Sequence, residues 1–386
     1  MDLFQVLAFF ILDDLRLFIF EFVKPQALFP AISIIPWAQL LLMGALIGVF
    51  TDTSIKRVSS SANVLLIIFS ILIAISIFTA TYPEHSKKYY MDFYSWVIIY
   101  FLIINIVNTK ERFYIFLIIF LVAAGKIAFG TSKSWASRGF SFTSWGLMGP
   151  KGYFQNSGEL AILMLMLFPL AFYIYFHLKS KVRTWEKWIL AIFWISPILT
   201  ILGASSRGAQ LALVVLLALI FRKSVFKIKP LIGIVILCTL LFHLLPQEQK
   251  DRFSSAGDDK TSKQRLLYWE NGWEMMKDHP LTGVGYFNFI PYYNTYYAND
   301  ILFTDRGAEL PHNIFIQVGT DAGFIAVFFF ITLILYALGV ASSMARDKTL
   351  TDLERAIAAG LGYGVLGYLI AGQFVTVTYY PFFGYI

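Results

Sequence analysis

Apolar and polar positions fall in long blocks along this chain, not in the short rhythm of a soluble fold. Apolar runs occupy 33–50, 63–80, 91–107, 113–130, 158–178, 188–203, 207–221, 231–245, 324–341 and 354–375. Most approach the ~20 residues that a helix needs to cross about 30 Å of hydrocarbon. Barrel strands would be about ten residues long and would alternate. Residues 3–23 form a weaker run, broken by Asp13, Asp14, Arg16 and Glu21. Such a segment packs against the bundle or lies at the interface. The pattern predicts an all-α, polytopic transmembrane helical bundle of about 10–12 spans. The closing "TVTYYPFFGYI" is too short to cross and reads as the start of one more helix. No basic stretch opens the chain, so a cleaved signal peptide is not expected.

One long polar segment, 246–323, interrupts the blocks. It divides the chain into a transmembrane bundle (1–245), a loop region with short amphipathic helices (246–323) and C-terminal transmembrane helices (324–386). Acidic residues outnumber basic ones in that segment, whereas "KSKVRTWEK" (179–187) and "RKSVFKIK" (222–229) carry four positive residues each. Cytoplasmic loops are the ones enriched in Lys and Arg. Both basic loops are therefore expected inside, along with 51–62, 109–112 and 342–353. The 246–323 loop, 131–157 and the short break near 203–208 are expected outside. Lys87 and Lys88 fall against this trend, in an outside loop.

Composition supports the same class. Hydrophobic residues make up 58% and charged residues 14%, against about 45–50% and about 25% in soluble domains. In a membrane protein a net charge of +7 reflects cytoplasmic loops, not nucleic-acid binding. Cys238 is the only cysteine, which excludes an intrachain disulfide or a thiolate metal site.

Within the loop, Leu266, Trp269, Trp273 and Met276 recur at helical spacing. They predict an amphipathic helix capped by Thr261 or Ser262 and ending before Pro280. A second short helix is expected from Asn313, with Ile314, Phe315 and Val318 on one face. Gly323 should end it before the next span, leaving Asp321 at the end of a helix on the surface.

Three side chains in these outer segments carry candidate chemistry. Arg207, in "LGASSRGAQLAL", reads either as a snorkelling anchor or, among so many small neighbours, as a ligand-binding cation. Arg265 reads as a surface charge by itself and as half of a clamp beside Arg207. A guanidinium fork matches phosphate oxygens bidentately and stays charged. His312 reads as a helix-capping residue or as a base, because a helix N-terminus disfavours imidazolium. His85, His177, His243 and His279 have no comparable setting. Charge counting that ignores the three residues puts all of them on one side of the membrane. Two cations and a neutral base suit a diphosphate leaving group and an incoming hydroxyl. No DxD, HExxH or Walker pattern appears in the outer loops, so no metal or other cofactor is required.

At these residues the chain resembles the O-antigen ligase / O-antigen polymerase superfamily of bacterial inner-membrane glycosyltransferases. The stretches "GASSRGAQLAL" (203–213), "RLLYWENGWEMMKDHPLTGVGYFNF" (265–289) and "PHNIFIQVGTDAGFIAVFFF" (311–330) carry the resemblance, with a weaker match in "GYFQNSGELAILMLMLFPL" (152–170). It covers roughly residues 130–375. Members take a glycan from undecaprenyl diphosphate on the periplasmic side and pass it to an acceptor. The acceptor is lipid A core for ligases, and another glycan end or a protein for related members. By resemblance, Arg207 and Arg265 hold the diphosphate and His312 assists the acceptor hydroxyl. The expected outcome is inversion, without metal or nucleotide sugar.

Two other functions fit the residues. A polymerase of the same superfamily differs only in its acceptor. A polysaccharide transporter or flippase would need ionisable groups or broken helices near mid-bilayer, for which Lys126 is the best candidate. The partners implied are a lipid-linked glycan, its acceptor and membrane lipids, not nucleic acid. Tyr286, Phe287, Tyr292 and Tyr293 lie in the aromatic part of the loop. They read equally as faces for stacking sugars and as an interfacial belt.

Overall fold

Helices follow the apolar blocks closely in the computed structural model, which describes residues 37–51, 57–141, 146–149, 154, 156–222, 250, 257, 259–303 and 305–379. In chain order they are α1 (Trp37–Thr51), α2 (Ser61–Phe78), α3 (Pro83–Ile106), α4 (Lys110–Ser137), α5 (Ser157–Leu178) and α6 (Thr184–Gly203). Then come α7 (Arg207–Ile220), α8 (Lys260–Asp278), α9 (Phe289–Tyr296), α10 (Ile314–Arg346) and α11 (Asp352–Ala371). No strand occurs among the described residues, and seven of these helices are long and apolar enough to cross a membrane: α2 to α6, α10 and α11. The expected spans at 3–23 and 231–245, Cys238 and the last seven residues lie outside the described residues.

The bundle is built around α5. Every residue from Leu160 to Phe172 is buried, as befits a helix that is apolar on all sides. α11 packs on it most extensively, through glycines. A Cβ at Gly360 would stand 2.6 Å from Leu170 Cα, and one at Gly364 would stand 3.1 Å from the Met166 carbonyl. This is the small-residue route to close helix contact where no hydrophobic effect drives association. α4 outruns its apolar block, reaching Ser137, because "GTSKSWAS" contains no proline to stop it.

α10 kinks at Gly323, whose φ of 80° is accessible to glycine and strained for other residues. In a straight helix the Thr320 carbonyl would accept from the Phe324 N–H. Here Thr320 accepts from Val284 N–H at 2.7 Å, and Phe324 donates to the Pro280 carbonyl at 2.9 Å. The turn 280–284 thus fills the gap it opens. The same loop bonds the start of α3: Thr81 N–H donates to Val284 O at 2.9 Å, and Ser86 Oγ donates to Tyr286 O at 2.7 Å. The α2–α3 turn and the loop therefore share one end of the bundle, as the charge pattern requires.

Two local expectations change. Asp259, not Thr261 or Ser262, caps α8, its side chain accepting from Ser262 N–H. The buried face of α8 carries Tyr268, Met275 and Met276, while Leu266 and Trp273 are exposed. Asp321 does not lie on the surface. It is fully buried, and its two oxygens accept from Phe287 N–H and Tyr379 Oη–H, each at 2.9 Å.

Candidate active site

The site is assembled from three stretches that meet at the loop end of the bundle. The first is the α6–α7 turn, where small residues let the chain reverse and Ser206 caps α7 by accepting from Ala209 N–H. Arg207 is the first residue of α7. Its Nη2 donates to Asp259 Oδ2 at 2.9 Å and to Ser262 Oγ at 3.3 Å. Burial alone would push the Asp259 carboxyl up. The bonds from Ser262 and Arg207 outweigh it and hold the group below its ordinary value.

Arg265 lies one helical turn beyond Ser262, on the same side of α8. Its Nε is buried and has no hydrogen-bond partner among the described residues. Burial is the main influence lowering its pKa. The positive Arg207 adds to this, while Glu309 and Asp259 oppose it. A buried guanidinium nitrogen without a partner keeps its capacity to donate to an anion.

His312 ends the irregular segment that leads into α10, at N′ beside the capping residue Asn313. Its φ of 52° is left-handed. Trp269 Nε1 donates to Pro311 O at 2.9 Å, which ties this segment to α8. The imidazole lies between Glu309 and the segment after α11, with Nε2 at 3.3 Å from Glu309 Oε2 and Nδ1 at 3.3 Å from Thr376 Oγ1. Burial holds its pKa below the ordinary value, Glu309 pulls it up, and the field of Arg265 pulls it further down. The neutral form is therefore favoured.

Phe374 bridges the parts. Its ring centroid is 6.2 Å from that of Trp269, and a Cβ at Gly208 would fall 2.5 Å from its own. The structure thus brings Arg207, Arg265 and His312 together in one electrostatic neighbourhood. An apolar cavity of about 860 Å³ lies elsewhere, among Phe69, Phe93, Tyr100, Phe330 and Tyr379, and none of the three candidate side chains lines it.

The aromatic candidates divide. Tyr286 and Tyr293 are fully buried, so neither ring offers a face to a sugar. Tyr286 packs on Phe93 and Tyr379, and Tyr293 accepts from Asn271 Nδ2 at 2.9 Å. Phe287 is partly buried and stacks on Tyr89 at 4.7 Å. Tyr292 remains partly exposed, with its ring 4.4 Å from that of Tyr296 and its hydroxyl 3.3 Å from His279 Nε2. Three contributors were not foreseen. Asp259 had a detectable signal, an acid three residues before a serine at a helix start. Glu309 stands three residues before His312. Thr376 has no local signal, because only the path of the chain after α11 brings it near.

The fold is that of a polytopic helical membrane protein, and its candidate site lies where the α6–α7 turn meets the long loop. Residues 190–331, which carry all three candidate residues, match the family described as O-antigen ligase. That match supports the O-antigen ligase superfamily and a membrane glycosyltransferase of O-antigen processing. Among curated proteins there is no match to this chain.

Proposed function

We propose that this protein transfers a glycan from undecaprenyl diphosphate to lipid A core, at the periplasmic face of a bacterial inner membrane. One observation carries the reading: Arg265 Nε is buried without a hydrogen-bond partner among the described residues, within the electrostatic reach of Arg207 and His312. The acceptor oxygen attacks the anomeric carbon from the side opposite the diphosphate. The bond to the diphosphate oxygen breaks, and the configuration inverts. The electron pair leaves on the diphosphate, where both arginines meet the developing charge. The hydroxyl proton passes to His312. The arginines supply this charge themselves, so the reaction runs without metal. The basic loops 179–187 and 222–229, one span away from the site segments, support the periplasmic side.

The test uses purified protein, a defined undecaprenyl-diphosphate glycan, lipid A core and EDTA. Glycan-bearing lipid A is expected with the wild type. Removal of one charge-stabilising donor, as in Arg265→Ala, should cost about 10²–10³-fold in rate. If the glycan is extended by another glycan while lipid A core stays bare, the acceptor assignment falls and the protein is a polymerase. If neither acceptor is glycosylated, the transferase reading falls.

A further inference from the structure

Building on the transferase reading, we propose that Glu309 is a positioning residue for His312: it holds the Nε2 proton, leaving Nδ1 to receive the acceptor hydroxyl at the place that Thr376 marks. A carboxylate can only accept, so in the neutral ring the nitrogen facing Glu309 Oε2 carries the hydrogen. Nδ1 is then the basic nitrogen, and it faces the Thr376 hydroxyl at 3.3 Å. An acceptor hydroxyl that takes that place has its proton aimed at the Nδ1 lone pair. The His312 side chain keeps 20% of its surface, which leaves a route of approach.

Glu309 is itself held in position. Its N–H donates to Tyr268 Oη at 2.9 Å, and its Oε1 lies 3.7 Å from Arg306 Nη1. One oxygen thus faces Arg306 and the other faces the imidazole. The charged groups around His312 are Glu309 and Arg306 on its own segment and Arg265 on α8. Residues 372–379 bring Thr376 and no Asp, Glu, Lys or Arg. During transfer the acceptor oxygen bonds the anomeric carbon and its proton goes to Nδ1. The electron pair of the broken bond leaves with the diphosphate. Glu309 stays ionised and stabilises the imidazolium.

The experiment compares wild type, Glu309→Gln, Glu309→Asp and His312→Ala as purified full-length protein, with undecaprenyl-diphosphate glycan and lipid A core across the acid range. Glu309→Gln should lower kcat roughly tenfold or more and leave the donor KM unchanged. Its acid limb should move to lower pH, because the carboxylate that raises the imidazole pKa is gone. Glu309→Asp keeps the charge and should keep the limb near its wild-type position with a reduced kcat. If both variants match the wild type in kcat and limb while His312→Ala is inactive, Glu309 has no positioning role and the transferase reading stands. If His312→Ala turns over at the wild-type rate, both readings fall.

Discussion

Arg207 and Asp259 join by an ion pair of 2.9 Å across 52 residues of sequence, linking the first residue of a bundle helix to the cap of the loop helix α8. Asp259 therefore has two tasks, aiming a cation and starting a helix, and substitution can separate them. Asn caps nearly as well as Asp, whereas Ala does not. Asp259→Asn should keep the melting temperature and lower transfer about tenfold, whereas Asp259→Ala should also lose ~1 kcal/mol of stability. Thermal melts in detergent, run beside activity, separate the two effects. Equal activity in Asp259→Asn and wild type would remove the aiming role.

Arg265→Lys keeps the charge and loses the planar fork. An ammonium at this depth binds phosphate as a point charge. Turnover should fall at least tenfold, read as initial rate at saturating donor. Near-normal turnover would mean that simple attraction suffices.

The pH profile follows from His312. Its folded-state pKa is depressed, chiefly by burial and further by Arg265, against the pull of Glu309. The base is then neutral at and below its ordinary value of about 6.5. Wild-type kcat/KM should stay level through about pH 6.5 and fall only as the pH drops further, toward the depressed value at which the ring protonates. Stability runs the same way: the unfolded chain takes up the proton first, so folding weakens as pH drops through about 6.5 toward the folded value. A limb centred above pH 7 would contradict the buried, neutral ring.

The contact between α11 and α5 rests on absent side chains. Gly364→Val would place atoms against the Met166 backbone and should cost about 1–3 kcal/mol. Gly339, in the exposed part of α10, has nothing within 4 Å of the same construction, and Gly339→Ala should leave the melting temperature unchanged or higher. If the two substitutions gave equal melts, the close helix approach would be disproved.

Much of the candidate site's placement was legible in the chain. Arg207, Arg265 and His312 stood out because charge is rare in such a sequence, and loop charge alone put them on one side. Gly323 was legible as the end of the short helix, and in the structure that end is a kink within one longer helix. Asp259 was missed because Asp, Thr and Ser at 259–262 have similar capping propensities, and only the cross-chain arginine decides among them. Tyr286 and Tyr293 were misread because burial in an aromatic stretch depends on what packs over it. Here α8 and residues 372–379 provide that cover, and nothing in the local pattern announces either.

The bend at Gly323 also works as a tether. Residues 314–322 join the imidazole segment to the point where α10 bends, and they amount to about 13 Å of helix. One short rigid element thus sets the spacing between the imidazole segment and the rest of α10.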